Sequence, residues 1–484
     1  RTTLNLPTRV MGGFRWDFLT NTMTHVLLGD YRHNSDVPMQ PLIIGGTSDN
    51  ELSYNGLRRS FWQSSFMAYV NSVNMMARKQ NYLSQNPLPS ALEKIPDMQR
   101  SAPGTYVFDS KDRDSEIDMA KLQQYAKTLS AIFEDYKYLT GTSVKISGDQ
   151  LDSYRSTSED VNIKQPHDMI TVKVSAQFMD EDRVRLADDM VLQYKHFSEL
   201  PPLDTLVAKV RRFADACMAM RNAPALKEDY KGPVMYEDDA ARQVFTVNYL
   251  MPDKFYAQPS FAENPKSLGL KIGKKIMDER LTITNETART DWNGTPLYGN
   301  YTVDADGFKP QPTMTIVDKG VFKMMLNRVT PAQYALKSTG SARWYNDPAQ
   351  AIPGVGIGTL TVSATGTTNA AKMEKTLVKL AKKAKVDCAY VISKPADCTS
   401  LRLYRVDLKT GERTLVKTNL ITLPTQDQMK HLEAISSSSQ VVNCVRPYTY
   451  SVVTPSSVII GDMEMSVPMM KGSRKPELVY TLQR

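Results

Sequence analysis

Residues 170–178, Ile-Thr-Val-Lys-Val-Ser-Ala-Gln-Phe, alternate apolar and polar side chains without a break. Successive strand residues point to opposite faces, so this pattern fits a strand with one side in a core and the other in water, as antiparallel sheets allow. Extended stretches flank it at 143–154 and 184–194. The next periodic segment, 203–220, changes to helical spacing, with Leu203, Leu206, Val210, Phe213 and Cys217 on one stripe. Upstream, a helix over 115–138 turns Leu122, Ala126, Leu129, Phe133 and Tyr136 inward. A longer helix, beginning after 49–53, carries Trp62, Phe66, Tyr69, Val70, Val73 and Ala77 on one face, a spacing that means core packing. Pro87, Pro89, Pro96 and Pro103 make 84–105 a surface connection, and residues 1–33 read as strand material without a clear first strand. Strands grouped with strands, outside any βαβ rhythm, predict an α+β fold whose N-terminal domain has a mainly antiparallel sheet and long helices.

The polar, proline-containing run 221–231 is the best boundary in the 484 residues, dividing an N-terminal domain (1–225, expected to lack its first segment) from a C-terminal one (226–484). No apolar run is long enough for a transmembrane helix. The net charge of +8 is modest for the length, and its densest basic run, 372–385, has Met373, Leu377, Leu380, Ala381 and Ala384 at helical spacing. A nucleic-acid surface would add aromatic or arginine partners, so a solvated helix face and no specific nucleic-acid partner are expected. The cysteines, Cys217, Cys388, Cys398 and Cys444, show no zinc-ribbon spacing. Cys217 falls on a core stripe, and Cys388 with Cys398 could pair only in an oxidising compartment.

Beyond the boundary the chain reads as β-rich. Residues 233–236 are a short strand that meets an acidic helix start at Glu237, Asp238 and Asp239; a helix of about three turns, packing through Ala240, Ala241, Val244 and Phe245, follows. Strands are expected at 281–284, 314–317, 321–326 and 388–393, with hairpins around 318–320 and 409–411. Residues 303–307, Val-Asp-Ala-Asp-Gly, form a turn; Asp304 and Asp306 suggest calcium, but the terminal ligand of a calcium loop does not follow. The GxGxG run at 354–358 precedes a strand instead of opening a helix, so it is no dinucleotide loop.

Metal-dependent hydrolysis needs neutral imidazoles on one helix face and a carboxylate beside the bound water. The five histidines, His25, His33, His167, His196 and His431, include no pair at ligand spacing. No serine nucleophile motif stands in a suitable context.

The stretch 232–251, the block 263–326 (with its Lys-Ile-Gly helix end and Asp-Ala-Asp-Gly turn), and 337–343, Lys-Ser-Thr-Gly-Ser-Ala-Arg, together resemble the TldD/PmbA (TldE) peptidase family. The first half resembles its longer, often extracytoplasmic bacterial branch at Leu-Leu-Gly-Asp-Tyr-Arg-His-Asn and in the long helix after it. The resemblance implies a β-rich C-terminal domain of the TldD/PmbA type. Active members carry an HExxxH zinc motif where this chain has Thr246, Val247 and Met251, and many carry His where it has Ser341. They also take a cysteine from a late segment; Cys444 lies late but would have no histidine pair to complete. The resemblance therefore implies a degenerate site at those four positions, no catalytic residues, no zinc cofactor, and a non-catalytic role. Its expected partners are a TldD-like active subunit or further copies of itself, with unfolded peptide segments bound between them. A periplasmic or secreted location is expected. The alternative reading is a scaffold of a cell-envelope assembly that reuses the fold.

Overall fold

The computed structural model describes residues 99–467, apart from 109–117, 157–159, 182, 259–263, 345–352, 396 and 419–420, together with isolated positions between 77 and 85. The expectations for residues 1–76, including the aromatic helix face, His25 and His33, lie outside the described residues.

The N-terminal part is built on one sheet. Strand β1 (Gly104–Val107) is followed by helix α1 (Met119–Ala131), which runs on into a 3-10 turn, Ile132–Asp135. Asp118 starts α1 by accepting the Lys121 amide at 2.9 Å, so the helix is shorter at both ends than its periodicity suggests. Strands β2 (Gly141–Ser156), β3 (Val161–Met179) and β4 (Arg185–Tyr194) pair antiparallel, while β1 lies parallel to the start of β3. Helix α2 (Leu203–Asn222) packs on this sheet through Leu206, Val210, Phe213 and Cys217; Leu203 is only half-buried. The alternation at 170–178 is reproduced, with Ile170, Val172, Val174, Ala176 and Phe178 all in this core.

The second part starts at β5 (Tyr230–Asp238), which turns directly into α3 (Asp239–Thr246). Then come β6 (Leu281–Glu286), a minimal hairpin of β7 (Asp291–Trp292) and β8 (Thr295–Pro296), and β9 (Thr313–Asp318) with β10 (Val321–Phe322). A two-stranded pair, β11 (Ala342–Arg343) and β12 (Gly354–Val355), precedes β13 (Thr359–Ala364). Helix α4 (Ala370–Lys383) leads into β14 (Cys388–Lys394), β15 (Arg402–Asp407) and β16 (Arg413–Val416). Strands β17 (Leu432–Ile435), β18 (Ser439–Cys444), β19 (Tyr450–Pro455) and β20 (Ser457–Met465) complete it. Two six-stranded sheets result, ordered β10-β9-β6-β13-β19-β18 and β16-β15-β14-β5-β20-β17. Both are mixed: β13 runs parallel to β19, and β5 parallel to β14. The large core, which includes Tyr236, Val244, Phe245, Ile283, Leu360 and Ile392, takes residues from both sheets and α3.

Position by position, the chemistry explains the geometry. Pro233 lies in central strand β5, where a missing N–H would normally break a ladder. The pairing with β14 begins only at Val234, and β20 carries a bulge between Ile460 and Met463 opposite Pro233. The β9–β10 turn closes through Lys319 and Gly320, both at positive φ, and a side chain at Gly320 would meet the Met277 carbonyl at 2.4 Å. The second strand of that hairpin covers two residues instead of the six expected. α4 packs on the other face of the β5-containing sheet with Met373, Leu377 and Ala381 inward; Ala384, expected on that side, is exposed because α4 ends at Lys383. The four cysteines are free thiols, and Cys388 and Cys398 belong to different cores.

Candidate functional site

Strand β5 delivers its chain into α3 through an abrupt elbow. Asp238 sits at φ 53°, ψ −138°, a region that an L-residue rarely occupies. Three neighbours hold it there. Its amide donates to the Ser456 carbonyl at 2.9 Å, its carboxylate accepts the Ser393 hydroxyl at 3.0 Å, and its carbonyl accepts the Gln440 side-chain amide. Asp238 belongs to the acidic helix start read from the sequence, but its side chain makes no bond to the first turn of α3.

The next residue organises a charge cluster. Asp239 accepts hydrogen bonds from the Arg242 guanidinium, from Lys394 Nζ at 2.7 Å and from Gln243 Nε2 at 3.3 Å. Burial alone would raise the Asp239 pKa, but Arg242 and Lys394 outweigh it and hold the carboxyl well below the usual range. Lys394 reaches the site because β14 lies parallel to β5 with Lys394 opposite Asp238. Cys444, at the end of β18, adds a half-buried thiol beside these groups. Burial pushes its pKa up, while the Tyr450 hydroxyl, Arg242 and Lys394 pull it down. Pairing of β18 with β19 sets Cys444 opposite Tyr450.

The four positions singled out from the sequence are scattered. Thr246 is buried, and its hydroxyl donates to the Arg242 carbonyl at 3.1 Å. Val247 and Met251 are 50% and 41% exposed, because α3 ends at Thr246 after about two turns instead of three. Ser341 is fully buried in a second polar centre, with its hydroxyl 2.8 Å from that of Thr339.

That second centre is the 303–307 turn. Asp304 accepts the amides of Asp306 and Phe308 on one oxygen and of Ala342 on the other, at 2.8–2.9 Å. Asp306, fully buried, pairs with Arg328 at 2.9 and 3.0 Å. Burial, and then the neighbouring Asp306, push the Asp304 pKa up to about 7. Tyr301 donates to the Gly340 carbonyl at 2.7 Å, and the Arg343 guanidinium stacks 4.0 Å from its ring centroid. Asp304 thus ties the turn to Ala342, and Asp306 ties it to Arg328 and Val329, with their oxygens turned to protein donors. A water-sized cavity of about 20 Å³ beside them is lined by Gln165, His167, Arg343 and Trp344, among others. His196 precedes a 3-10 turn (Phe197–Glu199) and His431 follows another (Gln428–Lys430).

Sequence reasoning missed Lys394, Arg328 and the place of Cys444. Asp239 and Arg242 stand at i,i+3 on one helix and could have been paired from spacing; Lys394 and Cys444 arrive by sheet pairing and Arg328 from a loop, which leaves no local signal.

Residues 230–466 match the family model of the PmbA/TldA metallopeptidase C-terminal domain. No curated protein matches the chain. Among solved structures it is similar to a candidate modulator of DNA gyrase from Bacteroides thetaiotaomicron, at 14% identity and TM-score 0.50, covering 87% of this chain and 85% of that one. It is also similar to TldE from Thermococcus kodakarensis, at 13% identity and TM-score 0.49, covering 82% and 84%. A further candidate gyrase modulator, from Thermotoga maritima, matches at 12% identity and TM-score 0.49, covering 80% and 82%. The first of these supports the α+β fold.

A metallopeptidase domain implies a catalytic metal, and the residues at α3 do not fit one. Among the described residues no group of three or more His, Cys, Asp or Glu side chains is placed to hold a metal ion. The Thr246 hydroxyl is spent on the helix backbone, Val247 has no donor atom, and the Cys444 thiol faces a guanidinium and an ammonium that would repel a dication.

Proposed function

The chain belongs to the TldD/PmbA family, and on that premise we propose that it is a non-catalytic member, acting as the partner or peptide-binding subunit of a metal-bearing relative. One observation carries this reading: Asp239, Arg242 and Lys394 satisfy one another at the start of α3, so the helix's polar groups are committed to an internal ion-pair cluster. An active centre needs donor atoms left open toward substrate or metal. The degenerate positions, Thr246, Val247, Met251 and Ser341, are consistent with this, since none offers an imidazole or carboxylate. The elbow and its supports keep the domain's architecture while its chemistry is gone.

The test combines metal analysis with co-purification. The purified full chain is expected to contain no stoichiometric zinc and to co-elute with a co-expressed relative carrying HExxxH. One zinc per chain, together with peptide hydrolysis lost on chelation and restored by zinc, would overturn the reading. So would a failure to associate with any such relative.

A further inference from the structure

Among the described residues, ten large apolar side chains are exposed, and four of them lie on two neighbouring segments: Val247 and Met251 at the end of α3 and just after it, Leu270 and Ile272 on and just past a 3-10 turn. Their backbones are stitched together. The Lys254 amide donates to the Met251 carbonyl at 3.1 Å, and the Leu268 amide to the Asp253 carbonyl at 2.8 Å. Lys254 Nζ reaches the Lys266 carbonyl at 2.9 Å, fixing the loop after α3 to the 3-10 turn Leu268–Lys271 that carries Leu270. Gathered apolar side chains of this size are a recognised mark of an interaction surface, whereas isolated ones are not.

The surroundings are basic. Lys254, Lys266, Lys271 and Lys274 belong to the same two segments, and among the described residues no salt bridge joins any of them to a carboxylate. Asp253 and Asp427 act on Lys254 and Lys271 only through space, and their own bonds go to other partners: Asp253 accepts from Asn264 at 2.9 Å, and Asp427 pairs with Lys430 at 2.7 Å. Burial, and then the like charge of Lys271, lower the Lys254 pKa, as expected where cations crowd. This pattern bears on the occupant. A second copy docking through the same face would set lysines against lysines, which like-charge repulsion disfavours. A different protein with apolar side chains ringed by carboxylates would satisfy both features.

We propose that Val247, Met251, Leu270 and Ile272, with their lysine rim, are the docking surface for a different protein subunit whose face is apolar at its centre and acidic at its edge. The proposal rests on the non-catalytic-partner reading above and assigns that partner a place on the fold.

The experiment measures binding of the full chain to a co-expressed HExxxH-bearing relative by co-elution and titration. Val247→Asp with Met251→Asp and Leu270→Asp is expected to weaken binding at least tenfold without moving the melting temperature, because all three side chains are exposed. Lys266→Glu with Lys274→Glu is expected to weaken binding and flatten its salt dependence. If wild type binds and both variants bind within twofold of it, the surface assignment fails and the partner reading stands. If wild type binds no such relative, the partner reading fails and the assignment with it. Self-association, or sedimentation with phosphatidylserine vesicles, that the aspartate variant abolishes while binding to the relative is retained would also overturn the assignment.

Discussion

Asp238 shows how much one residue can carry without taking part in chemistry. Its positive φ makes β5 turn into α3 with no intervening loop, and three side-chain and backbone partners hold it there. Asp238→Val should destabilise the protein by about 1–3 kcal/mol, since a β-branched residue opposes that conformation and loses the Ser393 contact. Asp238→Gly should cost less than Asp238→Val, because glycine adopts the region freely; denaturant unfolding of both variants checks the order. At this scale the sequence was partly misleading. Two aspartates before an amphipathic run read as a helix start, and they are one, but Asp238 shapes the elbow while Asp239 binds Arg242 and Lys394. Gly340, in the segment with Ser341, was legible as part of a motif but not for its reason: at φ +68°, a side chain there would meet Pro310 at 2.8 Å.

Helices and strands were more legible than their ends. α4 was readable because Met373, Leu377 and Ala381 recur at helical spacing among lysines that prefer water, and the structure buries those three. Leu377→Ala should therefore cost about 2–5 kcal/mol, whereas Lys379→Glu, on the exposed face, should stay within about 0.5 kcal/mol. Equilibrium unfolding of the two variants tests which face is core. α3 was recognised, but its length was not. The apolar pattern ran past Thr246, yet Leu250 and Tyr249 are drawn into the core by a tight turn and not by a third helical turn. Short hairpins such as β9–β10 were marked by Asp-Lys-Gly, because a two-residue turn with positive φ needs glycine.

For the whole molecule, the boundary near 221–231 is a change of core more than a break in contact. The two parts meet through buried charges: Asp188 pairs with Arg402, and Asp180 with Lys417. Asp397 also accepts from Lys209 at 3.2 Å and Arg212 at 2.7 Å, and Tyr298 donates to Glu199 at 2.7 Å. Lys417→Met would leave Asp180 buried without its cation, so a loss of about 3–5 kcal/mol is expected. With Asp180→Asn added, part of that loss should return, as a double-mutant cycle would read. Acidity should act through the same contacts. Burial opposes ionisation of Asp188, but Arg402 and Ser400 hold its pKa below the unfolded value; at Asp278, Arg280 and the Leu432 amide overcome burial and hold it at about 2. A depressed carboxyl stabilises above its unfolded pKa of 3.8, and that contribution fades as pH falls toward about 2. Asp304 has the opposite sign: raised to about 7, it stabilises below 3.8 and loses its contribution as pH rises through about 7. Stability should thus be greatest near pH ~4, and Asp304→Asn should flatten the alkaline side of a midpoint-against-pH curve. By itself the sequence determined the class of fold, most of the strands and helices and the residues that face the cores, because side-chain periodicity is a local property. Only the tertiary structure decided that Lys394 and Cys444 converge on α3, that the 303–307 turn is bound through Asp304 to Ala342 and through Asp306 to Arg328, and that buried charges join the two parts. Lys394 and Cys444 arrive through non-local strand pairing, whose register depends on the whole sheet, and the other groups meet from segments far apart in the sequence; neither depends on neighbours in the chain.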